Sequence, residues 1–172
     1  GGPGTYISYG SGWAGACNTP WRLYKHQAHE GGISTPLIAR WPAGFARKGE
    51  MEGRVGHIVD VMATCVDVAG ARYPAGGERN IPPMEGRSLV PALRGEPDQP
   101  RLLFWEHEGN RAARDGRWKL VARKGRPWEL YDMDADRAEM HDLAANRPDE
   151  VARLARAWDE WAARCHVVRD PS

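Results

Sequence analysis

At 172 residues, with a net charge of +1, 41% apolar residues and eight tryptophans, the chain can bury a core but carries no charge excess to draw nucleic acid or an anionic membrane. No apolar run approaches the length of a membrane span, and Cys17, Cys65 and Cys165 stand far apart with no C-x-x-C, so neither a disulfide scaffold nor a zinc finger is indicated. The opening Gly1-Gly2-Pro3-Gly4, with neither methionine nor leader, reads as the start of a C-terminal fragment.

In chain order, residues 1–23 mix glycines with Tyr6, Tyr9, Trp13 and Trp21, which predicts a long loop whose aromatics are buried or used for contacts. Tyr24-Lys25-His26-Gln27-Ala28-His29-Glu30 then gathers a lysine, two histidines and a glutamate ahead of Gly31-Gly32. That glycine pair allows a positive φ or a close approach of backbone to another group. Thr35 to Trp41 is apolar and bounded by prolines, which predicts a short buried strand. A cation-rich turn feeding such a strand suits the rim of an α/β sheet, where ligands gather. A solvated loop is the plainer alternative.

Pro42 to Gly53 reads as a surface connection. A helix follows, with Asp60 as N-cap, an apolar stripe of Val61, Cys65, Val68 and Ala69, and Gly70 as its stop. His57 reads as a capping or core histidine. Residues 71–100 are rich in proline and glycine and predict an irregular crossing segment. Within it, Ser88 caps one or two helical turns; Gly86-Arg87-Ser88 lacks the second glycine of a nucleophile elbow.

From residue 101 the pattern turns to short strands: Leu102 to His107, Arg111 to Arg114, Arg117 to Arg123 and Trp128 to Asp132, with Asp115-Gly116 suited to a tight hairpin turn. They predict a four-stranded antiparallel sheet. A helix from Pro148 to about Cys165 starts on a proline and two acids and carries the stripe Val151, Leu154, Trp158, Trp161 and Cys165, which should lie on that sheet. Glu106-His107-Glu108-Gly109-Asn110-Arg111 places two carboxylates around one histidine, a poor zinc signature and an incomplete calcium one, so no residue is assigned to a metal.

The pattern K-x-x-x-x-E-G-G-x-x-x-P, carried by Lys25, Glu30, Gly31, Gly32 and Pro36, resembles the sulfate-binding lysine segment of the sulfatases, within the alkaline-phosphatase superfamily. The wording is closest to the bacterial arylsulfatase type. His57 to Gly70, Gly86 to Gly95 and Glu106 to Ala112 are similar to further sulfatase stretches, so the likeness runs from residue 1 to about 165, the last third of a typical sulfatase. It implies an α/β fold class: the C-terminal part of an alkaline-phosphatase-like α/β sandwich over 1–100, then a small subdomain over 101–172 with the four-stranded sheet packed on the C-terminal helix. It further implies that the whole protein hydrolyses sulfate esters, with Lys25 as a sulfate ligand. His29, His107 and Asn110 are the candidate substrate-binding residues, beside a plainer role for the last two in an interdomain hydrogen-bond network.

Calcium and a formylglycine made from a cysteine or serine are the cofactors the resemblance implies for the full-length enzyme. Neither is provided for here: Cys17 precedes Asn18-Thr19-Pro20, Cys65 precedes Val66-Asp67-Val68, and no C-x-P-S-R or C-x-A-S-R motif is present. The fragment alone is therefore expected to be inactive. The implied partners are a small-molecule or glycan sulfate ester and the N-terminal part of the same chain, with no nucleic acid and no membrane. The whole enzyme is compatible with a periplasmic or secreted location, which this stretch does not assign. Two other classes stay open: a phosphate- or phosphonate-ester hydrolase of the same superfamily, and a non-catalytic packing or glycan-binding module using Trp13, Trp21 and Trp105 as a stacking platform. Because the strand at 35–41 lacks its neighbours, residues 1–100 are expected to be looser than 101–172 in isolation.

Overall fold

A computed structural model describes residues 2–5, 8, 10–75, 80–97 and 99–168; Tyr6 and Tyr9 of the opening stretch lie outside them. Four strands, β1 (Leu102–His107), β2 (Asn110–Asp115), β3 (Trp118–Ala122) and β4 (Glu129–Asp132), form one antiparallel sheet in the order β1-β2-β3-β4. Two-residue turns close the first two hairpins. Gly116 takes φ 54° in the β2–β3 turn, and Glu108 and Gly109 take φ 53° and 84° in the β1–β2 turn. In the β1–β2 turn, positive φ at both central positions matches the right-handed twist of the flanking strands.

Adjacent residues on a strand face opposite ways, and each face of this sheet has its own core. Ala113, Leu120 and Leu130 point to one side and pack with Leu154, Trp158 and Ala162. Those three belong to the long C-terminal helix α5 (Pro148–Arg164), with Pro148 in its first turn and Asp149 and Glu150 beside it. Burying Leu154 and Trp158 stabilises the unit by about 1.5–3 kcal/mol per side chain. Phe104 stacks on Trp161 at 5.4 Å, and Trp158 Nε1 donates to the Trp105 carbonyl at 3.1 Å.

Ala112, Val121, Tyr131 and Met133 form the other core with Ala28. The segment around Lys25 therefore lies on the sheet face opposite α5. Its last residues make a single helical turn, α2 (Glu30–Ile33). The chain divides into two compact units, Gly1–Pro36 with Pro100–Ser172, and Leu37–Gln99.

In the second unit, α3 (Val59–Val68) begins where Asp60, buried, accepts from the backbone N–H groups of His57 and Arg87 at 2.8 and 2.9 Å. His57 Nδ1 accepts from Val59 N at 3.3 Å, and Gly70 follows the helix with φ 58°. Ser88 Oγ accepts from Val90 N at 3.1 Å at the start of the short helix α4 (Val90–Leu93).

Three sequence expectations are corrected. Residues 35–41 form no strand, and Leu37 and Ile38 are 66% and 92% exposed, because no described strand offers them a hydrogen-bonding partner. The α3 stripe of Val61, Cys65, Val68 and Ala69 faces solvent; only Asp60 and Ala63 of this helix are buried. A short helix, α1 (Gly10–Cys17), replaces the loop expected there, and none of its residues is buried. Its three glycines argue against it, and no packing in the structure explains it. No helix among the described residues is long and apolar enough to cross a membrane.

Candidate functional site

Lys25 sits in a turn on the free face of the sheet, exposed, and among the described residues its ammonium has no ion-pair partner. The loop that presents it is held by contacts spanning most of the chain. Arg22 Nη1 donates to Glu129 Oε2 at 3.0 Å, to the Tyr131 hydroxyl at 2.7 Å and to the Glu139 carbonyl at 3.1 Å. Tyr131 in turn donates to Glu129 Oε2 at 2.6 Å, and burial together with this carboxylate pushes its pKa up. Burial pushes the Glu129 carboxyl up, but the hydrogen bonds from Tyr131 and His29 outweigh it and hold the group below its ordinary value. The side chains of this network, Arg22, Glu129 and Tyr131, help line an open cleft of about 520 Å³ with their polar atoms already engaged with one another.

Beside it lies a buried ion cluster. Lys119 on β3 has no exposed surface, and its Nζ stands 2.8 Å from Glu30 Oε1 and 2.7 Å from Glu139 Oε1. The Glu30 backbone N–H donates to Glu139 Oε2 at 2.8 Å. Burial raises both carboxyls; the Lys119 charge and hydrogen bond pull Glu30 net below its ordinary value, whereas burial wins at Glu139. One lysine thus ties the turn after His29 to the sheet.

Of the candidate residues, His29 is fully buried, its Nε2 3.2 Å from Glu129 Oε2, and burial lowers its pKa to about 4. In this structure it packs under the Lys25 loop and faces no solvent. Asn110 is also buried: its Nδ2 donates to the His26 carbonyl at 2.8 Å and the His107 carbonyl at 3.1 Å, and its Oδ1 accepts from Lys124 N at 3.2 Å. It clamps the Lys25 loop to the β1–β2 hairpin. His107 is exposed on that hairpin beside His26, with ring centroids 5.2 Å apart and planes at 21°. His26 and His107 are thus brought together at one exposed edge, with exposed Lys25 next in sequence to His26, while His29 and Asn110 are buried.

The supporting network was invisible to sequence spacing. Arg22 and Glu129 are 107 positions apart, and Glu30 and Lys119 are 89 apart, so no local motif joins them. The tryptophan platform is not assembled: Trp13 is exposed, but Trp21 is covered by Arg137 at 4.5 Å and Trp105 packs on a core cluster.

The residues present fit neither cofactor of the sulfatase reading. All three cysteines are free and outside a formylglycine motif. The group of three ligating side chains among the described residues, His26, His107 and Glu108, is rich in nitrogen, whereas calcium takes oxygen ligands.

The family described as N-sulphoglucosamine sulphohydrolase, C-terminal, matches residues 21–159. An uncharacterised sulfatase of Schizosaccharomyces pombe is 32% identical over 178 residues, covering 97% of this chain and 32% of the relative. A choline-sulfatase of Rhizobium meliloti is 36% identical over 147 residues, covering 81% of this chain and 27% of the relative. The crystal structure of Ps i-CgsB shares the fold, with a TM-score of 0.69 at 23% identity over 84% of this chain and 32% of that one. The chain spans about a third of the length of the curated relatives it matches.

Proposed function

Since this chain belongs to the sulfatase family, we propose that it is part of a sulfuric ester hydrolase in which Lys25 binds the sulfate group. The observation that carries this reading is the position of Lys25: inside the matched region, exposed, and without an ion-pair partner among the described residues. A lysine kept for structure would be expected to look like Lys119, which is buried between two carboxylates.

The chemistry suits an ammonium. Hydrolysis of a sulfate ester builds negative charge on the equatorial and leaving oxygens in the transition state. A fixed point charge aimed at them stabilises that state more than the ground state, by about 3 kcal/mol for one good donor. The substrate class is a small-molecule or glycan sulfate ester; one relative is named for choline. Sulfatases generally use calcium and formylglycine. In this reading the rest of the whole protein supplies both, and no step that depends on them belongs to these residues.

The same reading keeps the two-part organisation. In the whole protein, residues 1–100 end the large α/β domain and 101–172 form the small subdomain. The docking of residues 22–30 on the sheet is then where the two parts meet. Exposed Val61, Met62 and Val68 of α3 and exposed Leu37 and Ile38 support further chain packing on them. His107, exposed and stacked on the neighbour of Lys25, is a substrate contact in this reading.

Turnover of an aryl sulfate by the whole protein, compared with its Lys25→Ala variant, tests the assignment. The expected loss is roughly two to three orders of magnitude in kcat/KM. Near-normal turnover by the variant would remove Lys25 from the site. Faster turnover of the matching phosphate ester than of the sulfate ester would move the activity to phosphate chemistry.

A further inference from the structure

We propose that His26, His107 and Glu108 form a binding site for a divalent first-row transition metal of the zinc type, distinct from calcium. The proposal does not depend on the sulfatase reading. It rests on His26, which lies 81 positions from His107, converging in the fold on the adjacent pair His107 and Glu108.

His107 is the last residue of β1, and Glu108 is the first residue of the two-residue turn that follows. His26 comes from the loop on the adjacent sheet face. Asn110, buried, donates one side-chain amide group to both histidine carbonyls, which brings their backbones together. Outer groups of this kind orient the ligands of known metal sites. His26 and Glu108 both carry positive φ, 77° and 53°, which costs free energy at residues other than glycine.

The donor atoms match a coordination polyhedron. His26 Nδ1 lies 3.2 Å from His107 Nε2 and 2.9 Å from Glu108 Oε2, and His107 Nε2 lies 3.9 Å from Glu108 Oε1. Ligands held about 2.0–2.1 Å from a tetrahedral zinc are about 3.3 Å from each other. All the ligating atoms of the trio fall within 4.8 Å of one another. Without a cation, the single Nδ1 position of His26 must serve two neighbours at once. A cation at the centre gives each donor its own bond.

Two imidazoles and one carboxylate select zinc, cobalt(II) or nickel over calcium and magnesium, which prefer all-oxygen shells. The three side chains are 46%, 58% and 61% exposed, so the remaining coordination positions open to water or to an oxygen of an incoming ligand.

The test titrates Co2+ and Zn2+ into the 172-residue chain, reading cobalt by its visible absorption and zinc by calorimetry, with far-UV circular dichroism to verify the fold. One equivalent should bind, and a large excess of Ca2+ should not displace it. Each of His26→Gln, His107→Gln and Glu108→Gln should weaken binding at least about tenfold, and Asn110→Ala by about tenfold through loss of positioning. His141→Ala, which alters an exposed histidine paired with Asp136, should bind as the unaltered chain does. Failure to bind a stoichiometric equivalent, unchanged binding in the folded His26→Gln/His107→Gln chain, or displacement by Ca2+ would each overturn the proposal.

Discussion

His29 shows how far one side chain's role depends on what surrounds it. In sequence it is a histidine beside the glutamate of a sulfate-binding motif and so a candidate substrate contact; in the structure it has no exposed surface and faces Glu129. Burial lowers its pKa from 6.5 to about 4, against the opposing pull of Glu129 and with help from Lys119 and Arg22. Between those values the unfolded chain takes up a proton that the folded chain refuses. Stability from His29 is therefore fully present above pH ~6.5 and is lost as pH falls towards ~4, by on the order of 3 kcal/mol. Urea unfolding at several pH values should show this slope in the unaltered chain and a flatter one in His29→Gln. Coincident slopes would mean that His29 does not carry the effect. Asn110, a candidate from the separate Glu106–Arg111 stretch, likewise has its amide spent on protein partners. Lys25 differs: it is exposed, and the motif that names it contains a glycine pair whose purpose the structure explains.

That purpose belongs to the element scale. A Cβ on Gly31 would run into the Leu23 carbonyl oxygen, and one on Gly32 into the Gln27 carbonyl oxygen. The pair serves close backbone approach, the second of the two uses open to it, and lets the Lys25 loop fold tightly back on α2. Gly32→Ala should therefore unseat the loop while leaving the sheet and α5 intact. The expected result is loss of amide-exchange protection in residues 22–33 with little change in β1–β4; uniform protection would contradict it. The strands and α5 were legible because their signals are carried by their own residues: the Asp115-Gly116 turn between two short runs, and Val151, Leu154, Trp158 and Trp161 on one helical face, although Cys165, read as the end of that stripe, is exposed. The β1–β2 turn was less so, since Glu-Gly signals a tight turn more weakly than the Asp-Gly that joins β2 to β3. The α3 stripe was read correctly as a pattern, but a stripe is buried only where something covers it.

For the molecule as a whole, packing is uneven. Ala112, Ala113, Leu120, Val121 and Leu130 are wholly buried in the sheet, whereas among the described residues of 37–99 only Asp60, Ala63 and Val90 are buried. Hydrogen exchange should accordingly be slowest in β2, β3 and α5 and fast across 37–99, with residues 22–33 protected alongside the sheet. Equal protection in 37–99 and the sheet would contradict this. The sequence placed residues 22–33 with the looser half; their tie to the sheet runs through Lys119, Glu129, Tyr131 and Asn110, all distant in the chain.

By itself the sequence determined the family, the four strands, the C-terminal helix and Lys25 as the residue of interest, because motif spacing and hydrophobic period are local properties that survive without coordinates. Only the tertiary structure decided that His29 and Asn110 are buried, and that His26 meets His107 and Glu108. It also decided that the 35–41 segment, with no strand beside it, forms none. Each of those outcomes depends on which distant groups share a volume, and burial, pairing and coordination are properties of that volume.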